Sequence, residues 1–227
     1  MIIKPVFLTA VLCFAAIVSG SASAGVISVT DSPTGRSTFG GNDIVDWGIL
    51  GANFTVVSNP FSISSTGGIG LSVSQSSGGF ERRDLNTGWG GNFTDGSILL
   101  WTEGNNAHPM TIVFNSLIRG VGFQINPNFS ETTTHVEVFG AGNTLFGAFD
   151  LTTNDRSQPS ADFIGFTSDL LDIAKITVTQ GARSDFAINQ LSLINNGGGT
   201  VPEPVSLALF GIGLAGLAAA RRRKQMA

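Results

Sequence analysis

The chain has one cysteine, Cys13, and two histidines, His108 and His135, among 227 residues. Each scarcity removes a chemistry. Cys13 lies in an apolar run from Pro5 to Val18, which follows Lys4 and leads into Ala22-Ser23-Ala24. A charged start, an apolar stretch and an A-x-A end define a cleavable signal peptide over residues 1–24. At roughly 14 residues the run is shorter than the ~20 a spanning helix needs. Leu12 stands before Cys13, where lipid attachment would want a small residue. The mature region therefore has no cysteine, which excludes disulfides, thiolate metal sites and cysteine nucleophiles. An exported domain of this kind must rest on its hydrophobic core. Basic residues are also scarce. Residues 25–200 carry seven Lys and Arg against fifteen Asp and Glu, a net charge of −8. Such a surface repels phosphate backbones, so nucleic acid is excluded as a partner.

Residues 25–196 also lack a helical apolar stripe of three turns. Their periodicity is of strand type: 26–30, 54–57, 61–63, 69–74, 97–101, 110–114, 121–125, 134–139, 144–149, 163–166, 176–179 and 186–193 are short runs rich in β-branched or aromatic residues. His135-Val136-Glu137-Val138 and Lys175-Ile176-Thr177-Val178 alternate, as strands with one wet face do. Turn residues punctuate the runs at Gly67-Gly68, Gly78-Gly79, Gly90-Gly91, Gly140-Ala141-Gly142-Asn143 and Asn195-Asn196-Gly197. The pattern predicts one all-β domain, an antiparallel jelly-roll-like sandwich. An up-and-down barrel is the competing architecture. Asn53-Phe54-Thr55, Asn92-Phe93-Thr94 and Asn128-Phe129-Ser130 look alike, but their irregular spacing reads as three strand starts and not as a repeat.

Residues 197–200 form a Gly-rich linker to a tail, 201–227, of different character. Val205 to Ala220 is almost uninterruptedly apolar; as a helix it would be about 24 Å long, enough to span a slightly thinned bilayer. Arg221, Arg222, Arg223 and Lys224 form a basic membrane stop and would stay on the cytoplasmic side, placing the β domain outside the cytoplasm. Gly211-Ile212-Gly213-Leu214-Ala215-Gly216 matches the dinucleotide-binding spacing letter for letter. It lies inside the apolar helix, with no strand before it, so it is a chance match.

Pro202-Glu203-Pro204, the apolar helix and the arginines together resemble the PEP-CTERM sorting signal of Gram-negative bacteria, also known as an ice-binding-protein C-terminal domain. The resemblance implies a tail recognised through Pro202, Glu203 and Pro204 by exosortase, a membrane peptidase. It also implies transient anchoring in the inner membrane with the ectodomain in the periplasm, then release to the cell surface or extracellular matrix, with exopolysaccharide as a candidate partner. The middle resembles the β-sandwich ectodomains attached to such tails. The phrases that carry this are VDWGIL at 45–50, WGGNF at 89–93, Val121-Gly122-Phe123, Phe163-Ile164-Gly165-Phe166 and Phe186 to Leu191. Related domains often have Asp-Asn or Asp-Asp where this chain has Asn189-Gln190, so no metal site is carried over.

Chemistry-bearing residues are sparse. His135 shares a strand face with Glu137 and His108 lies in a polar loop, a spacing that fixes no triad. Glu81, Glu103, Glu131 and Glu137 are the candidate acids of a hydrolase, the second alternative function. Asp84, Asp95 and Asp185 read as turn residues, and no calcium-loop pattern is present. The first alternative is a carbohydrate-binding module. For it Trp89, in a Gly-rich loop, is the candidate stacking platform, with Asn92 and Asp95, and also Asn86, as hydrogen-bonding glycan contacts. Against this, Trp89 and more so Trp101, at the end of an apolar strand, are expected in the core. No catalytic residues, metal or cofactor are predicted, and the leading expectation is a non-catalytic structural or adhesive protein of the envelope or matrix.

Overall fold

The computed structural model describes residues 26–30, 35–91, 93, 96–103, 109–128, 132–153, 161–181 and 185–195. The predicted signal peptide, Gly-rich linker, sorting residues Pro202, Glu203 and Pro204, membrane helix and basic stop all lie outside them. In chain order the elements are β1 (Val26–Thr30), a one-turn helix α1 (Gly35–Phe39), β2 (Asp43–Val45), β3 (Val56–Val57), β4 (Phe61–Ser64), β5 (Gly70–Gln75), β6 (Phe80–Asp84) and β7 (Ile98–Thr102). There follow β8 (Met110–Ile118), β9 (Gly120–Pro127), β10 (Thr132–Gly140), β11 (Leu145–Thr153), β12 (Asp162–Ser168), β13 (Ile173–Gln180), β14 (Phe186–Ile188) and β15 (Leu191–Ile194). Single 3₁₀ turns occur at Trp47–Leu50 and Ala141–Asn143.

The described strands form two sheets. A nine-stranded sheet runs β1-β12-β9-β14-β7-β6-β3, with β15 paired to both β9 and β2, and a six-stranded sheet runs β11-β10-β13-β8-β5-β4. Neighbouring strands are antiparallel throughout, for instance Val136 opposite Val178 and Phe123 opposite Ile164. The alternation read in the sequence decides which side chains meet between the sheets. From the six-stranded sheet Leu71, Val73, Ile112, Val136, Val138 and Ile176 point inward. They face Phe80, Leu100, Phe123, Phe166, Phe186 and Leu193 of the other sheet, in one core. Each such side chain contributes about 1.5–3 kcal/mol on burial.

The two sheets differ on their outer sides. Strand β10 has one wet face, but β9 is buried along its whole length, so the outer face of the nine-stranded sheet is covered as well. Glycine makes the cover possible. Gly122 and Gly165 lie opposite each other on β9 and β12. A methyl at Gly122 would sit 2.6 Å from Phe163 Cζ, and one at Gly165 would sit 2.8 Å from Phe39 Cδ2. The absent side chains leave a trough in which the Phe39 and Phe163 rings pack edge to face at 5.7 Å. The Val-Gly-Phe and Phe-Ile-Gly-Phe phrases are thus packing devices.

A difference from expectation concerns residues 186–193, read as one strand. They form β14 and β15, which both pair with β9, at Ile125–Pro127 and at Gly120–Gly122 respectively. Asn189 bridges the gap between them with its side chain. Its Oδ1 accepts from Gln124 N at 2.9 Å and its Nδ2 donates to Gln124 Oε1 at 2.7 Å, while its backbone N–H donates to Gln124 O at 3.1 Å. Trp47 Nε1 donates to the Asn189 carbonyl at 2.8 Å, which fixes the joint from the core side.

Asp43 ties the two sheets together at one end. Its carboxylate accepts from Ser65 Oγ at 2.5 Å, Gly67 N at 2.6 Å, Thr66 Oγ1 at 2.9 Å, Ile44 N at 2.8 Å and Asn195 Nδ2 at 3.1 Å. Ser65 to Gly67 belong to the β4–β5 hairpin of the six-stranded sheet, whereas Asp43 opens β2 of the other. Gly67 is required here, because a Cβ would lie 2.6 Å from the Asp43 carboxylate. Burial alone would raise the Asp43 pKa; hydrogen bonds from Ser65, Gly67, Thr66 and Ile44 outweigh it and hold the carboxyl below the ordinary aspartate range.

Candidate functional site

Strand β6 has the sequence Phe-Glu-Arg-Arg-Asp and carries a cluster that the strand-type runs do not reveal. Side chains alternate, so Phe80 enters the core while Glu81 and Arg83 stand on the outer face of the nine-stranded sheet. Register then builds a row across that face, with Val56 opposite Glu81, Glu81 opposite Trp101, Trp101 opposite Ala187 and Ala187 opposite Asn126.

The guanidinium of Arg83 lies between two rings, 4.7 Å from the Phe54 centroid and 4.5 Å from that of Trp101. Its Nε pairs with Glu81 Oε1 at 2.5 Å and its Nη1 donates to Gly88 O at 3.0 Å. Trp101 Nε1 donates to Asp185 Oδ2 at 2.6 Å, and Asn128 Nδ2 donates to the same oxygen at 3.0 Å. Ring stacking on Arg83, its ion pair with Glu81 and the hydrogen bonds of Trp101 and Asp185 hold the stack together.

Phe54 is the exposed member. It is 52% exposed and its backbone has φ 66°, in the left-handed region that a bulky side chain rarely adopts. The segment is held from both sides, since Phe54 N donates to Arg82 O, Arg82 N donates to Thr55 O, each at 2.9 Å, and Asn53 Oδ1 accepts from Asp84 N at 2.9 Å. Residues 54–57 read as one strand in the sequence; in the structure only Val56–Val57 pair with β6, and Phe54 turns outward. Next to it Val56 is 70% exposed.

Two of the three tryptophans lie in the core as expected, and Trp101 does not. Trp47 is fully buried. Trp89, the candidate glycan platform, is 6% exposed, packing with Leu85, Phe93, Leu99, Ala161 and Ala187 in a second apolar cluster on the outer face. Its Nε1 donates to Asn126 Oδ1 at 3.3 Å, and its ring lies 6.3 Å from that of Trp101. Trp101, expected to be the more deeply buried, is the partly exposed one. Its place in strand alternation puts it on the outer face, at the rim of that cluster. Asn92 and Asp95, the other candidate contacts, lie outside the described residues, and Asn86 sits in the turn that folds Trp89 back onto the sheet, its N donating to Trp89 O at 2.8 Å.

Of the remaining candidates, Glu103 directly follows β7, its backbone N donating to Gly79 O at 3.1 Å just ahead of β6, and the others are spread over both sheets. His135 Nδ1 is 2.6 Å from Asp150 Oδ1 and its Nε2 3.9 Å from Glu137 Oε1, a cross-strand group on the exposed face of the six-stranded sheet. Glu137 also accepts from Thr177 Oγ1 at 3.0 Å. Glu81 and Glu137 thus stand on the outer faces of opposite sheets, with both sheets between them, and cannot act as a pair on one bond. Asp84 pairs with Arg82 at 2.6 Å. His108 and Glu131 lie outside the described residues, and among the described residues no three His, Cys, Asp or Glu side chains form a metal-holding group.

The fold defines an all-β protein of two stacked sheets. Residues 200–224 match the PEP-CTERM protein-sorting motif, so the chain carries that motif at its C-terminal side. The motif implies an exported protein processed by exosortase, a membrane protein, and sorted to the cell envelope or surface. No curated protein matches the sequence. Among solved structures, a DUF4465 family protein from Bacteroides caccae is similar at 11% identity and a TM-score of 0.43, covering 68% of this chain and 100% of its own. A family 29 carbohydrate-binding module from Piromyces equi aligns at 14% identity and 0.32, covering 66% of this chain and 95% of that one. A family 6 carbohydrate-binding module aligns at 7% identity and 0.34, covering 63% of this chain and 95% of that one. Likeness at this level carries no argument about function. Among the described residues no helix is long and apolar enough to cross a membrane.

Proposed function

We propose that this chain is a Gram-negative envelope or exopolysaccharide-matrix protein whose jelly-roll-like domain is held at the inner membrane by the apolar helix at 205–220 until the tail is processed. It acts outside the cell without catalysis, as a structural or adhesive component. The observation that carries this reading is the PEP-CTERM motif at 200–224, directly following the domain. The apolar stretch and the arginines after it supply the membrane hold, and Lys4 with the Pro5–Val18 run supplies the export signal. A role in binding carbohydrate is the second reading, favoured by the outward-turned Phe54 on the Arg83–Trp101 stack.

Mass spectrometry of protein released from the cell surface tests the sorting. The expected result is a chain that begins near Gly25 and yields no peptide from residues 205–227. Recovery of the released protein with an intact tail would overturn tail processing. Deletion of the exosortase is expected to leave the full tail in the membrane fraction.

A further inference from the structure

We propose that the tile formed by Phe54, Val56, Glu81, Arg83 and Trp101 on the outer face of the nine-stranded sheet is a binding site for a neutral glycan. This deepens the second reading given above and rests on it. The argument begins with Phe54, whose left-handed backbone is unfavourable for a large side chain, yet three hydrogen bonds around residues 53–55 maintain it. The result is an aromatic ring backed on one side by Arg83 and otherwise open, beside a 70% exposed Val56. Strain that presents an apolar ring to water is the reverse of what core packing asks.

Charge selects the ligand class. Arg83 is compensated by Glu81 at 2.5 Å, and the Asp185 carboxylate is engaged by Trp101 and Asn128. The tile thus offers apolar ring surface beside paired polar groups, and no uncompensated cation to hold an anion. The net charge of −8 over residues 25–200 further opposes an acidic polymer. A neutral pyranose matches this surface. Its axial C–H face covers the exposed Phe54 ring, over the Arg83–Glu81 pair that backs the ring from beneath.

Area argues against a protein occupant. Phe54 and Val56 together expose on the order of 200 Å² of apolar surface, far below the ~800 Å² per partner of a stable protein interface, and about what one or two sugar rings cover. Strand β3, at the sheet edge beside the tile, has only two residues, Val56–Val57, and is too short to template strand addition.

The test is titration of the full-length protein, purified in a detergent without a sugar headgroup, with cellohexaose, xylohexaose and mannohexaose, and with an oligogalacturonate as the acidic comparison. Heat of binding and tryptophan fluorescence are the readouts. Saturable binding of at least one neutral oligosaccharide is expected, with Trp101 reporting, and weaker or no binding of the galacturonate. Phe54→Ala is expected to weaken binding about tenfold. Phe54→Gly separates binding from folding, because glycine accepts the left-handed backbone: its thermal midpoint should equal or exceed that of the parent while binding weakens as in Phe54→Ala. Binding unchanged in Phe54→Gly, preference for the galacturonate, or no binding of any neutral oligosaccharide would each overturn the proposal. So would a parent that sediments as a dimer and becomes monomeric in Phe54→Gly, which would make the tile a self-association surface. Tail processing is read separately on released protein, so correct sorting without glycan binding removes only the tile, and glycan binding with an intact tail removes only the sorting.

Discussion

Asn189→Ala is expected to lower the thermal midpoint by roughly 10 °C. The side chain makes two buried hydrogen bonds to Gln124, at 2.9 and 2.7 Å, where the chain passes from β14 to β15. Alanine removes the acceptor of the Gln124 backbone N–H and the donor to its side-chain oxygen together. Loss of buried polar partners of this kind costs about 2–4 kcal/mol, which in a domain of this size shifts the midpoint by about 2–4 °C per kcal/mol. A double-mutant cycle with Gln124→Ala apportions the loss, since Gln124 Oε1 disappears while the Gln124 N–H remains. Coupling between the two substitutions is expected to be smaller than the Asn189→Ala effect itself. Equality of the two would show that the backbone contact contributes nothing. A midpoint within about 2 °C of the parent would show that β14 and β15 do not need the side-chain bridge.

Asp43→Ala is expected to cost about 3 kcal/mol at neutral pH, because it deletes a 4% exposed carboxylate that accepts from both sheets. The pH dependence follows from the direction of its shift. The folded-state pKa lies below the unfolded one, so the stabilisation is fully present above the unfolded value of about 4 and is lost as pH falls through the folded value. Urea midpoints measured from pH 7 down to pH 2 are expected to fall below about pH 4 in the parent. Asp43→Asn should be less stable at pH 7 and should show a shallower fall over the same window. Parallel curves for the two proteins would place the acid sensitivity in other carboxylates.

The readable and unreadable parts of the fold differ for physical reasons. Strands such as β10 and β13 were legible because His135-Val136-Glu137-Val138 and Lys175-Ile176-Thr177-Val178 bury every second residue and leave the others partly exposed. Strand β6 was not, since Glu81-Arg82-Arg83-Asp84 offers no apolar alternation and no β-branched residue. The charged residues are accommodated by pairing, Arg83 with Glu81 and Arg82 with Asp84. That same strand holds the candidate site, so the site was missed with it. Trp89 is buried as expected, because a loop tryptophan can fold back over a sheet, whereas Trp101 departs from the expected core position because strand alternation fixes it to the outer face. Phe54 was hidden in a strand-like run, for a left-handed backbone at phenylalanine has no compositional signal. The PEP-CTERM motif was legible because its recognition resides in residue order, Pro202-Glu203-Pro204 before an apolar run and arginines, and depends on no tertiary packing.

The placement of β15 bears on load. This last described strand is hydrogen-bonded on both flanks, to β2 and to β9, and Asn195 just beyond it donates through its backbone N–H to Asn42 Oδ1 at 3.1 Å and through its side chain to Asp43. Antiparallel ladder bonds lie perpendicular to their strands. Tension drawn along β15 from its C-terminal end therefore bears on both ladders at once, in shear, and does not unzip them one bond at a time. Whatever grips the tail, the domain meets a pull at a strand anchored on two sides and latched to the Asp43 clasp.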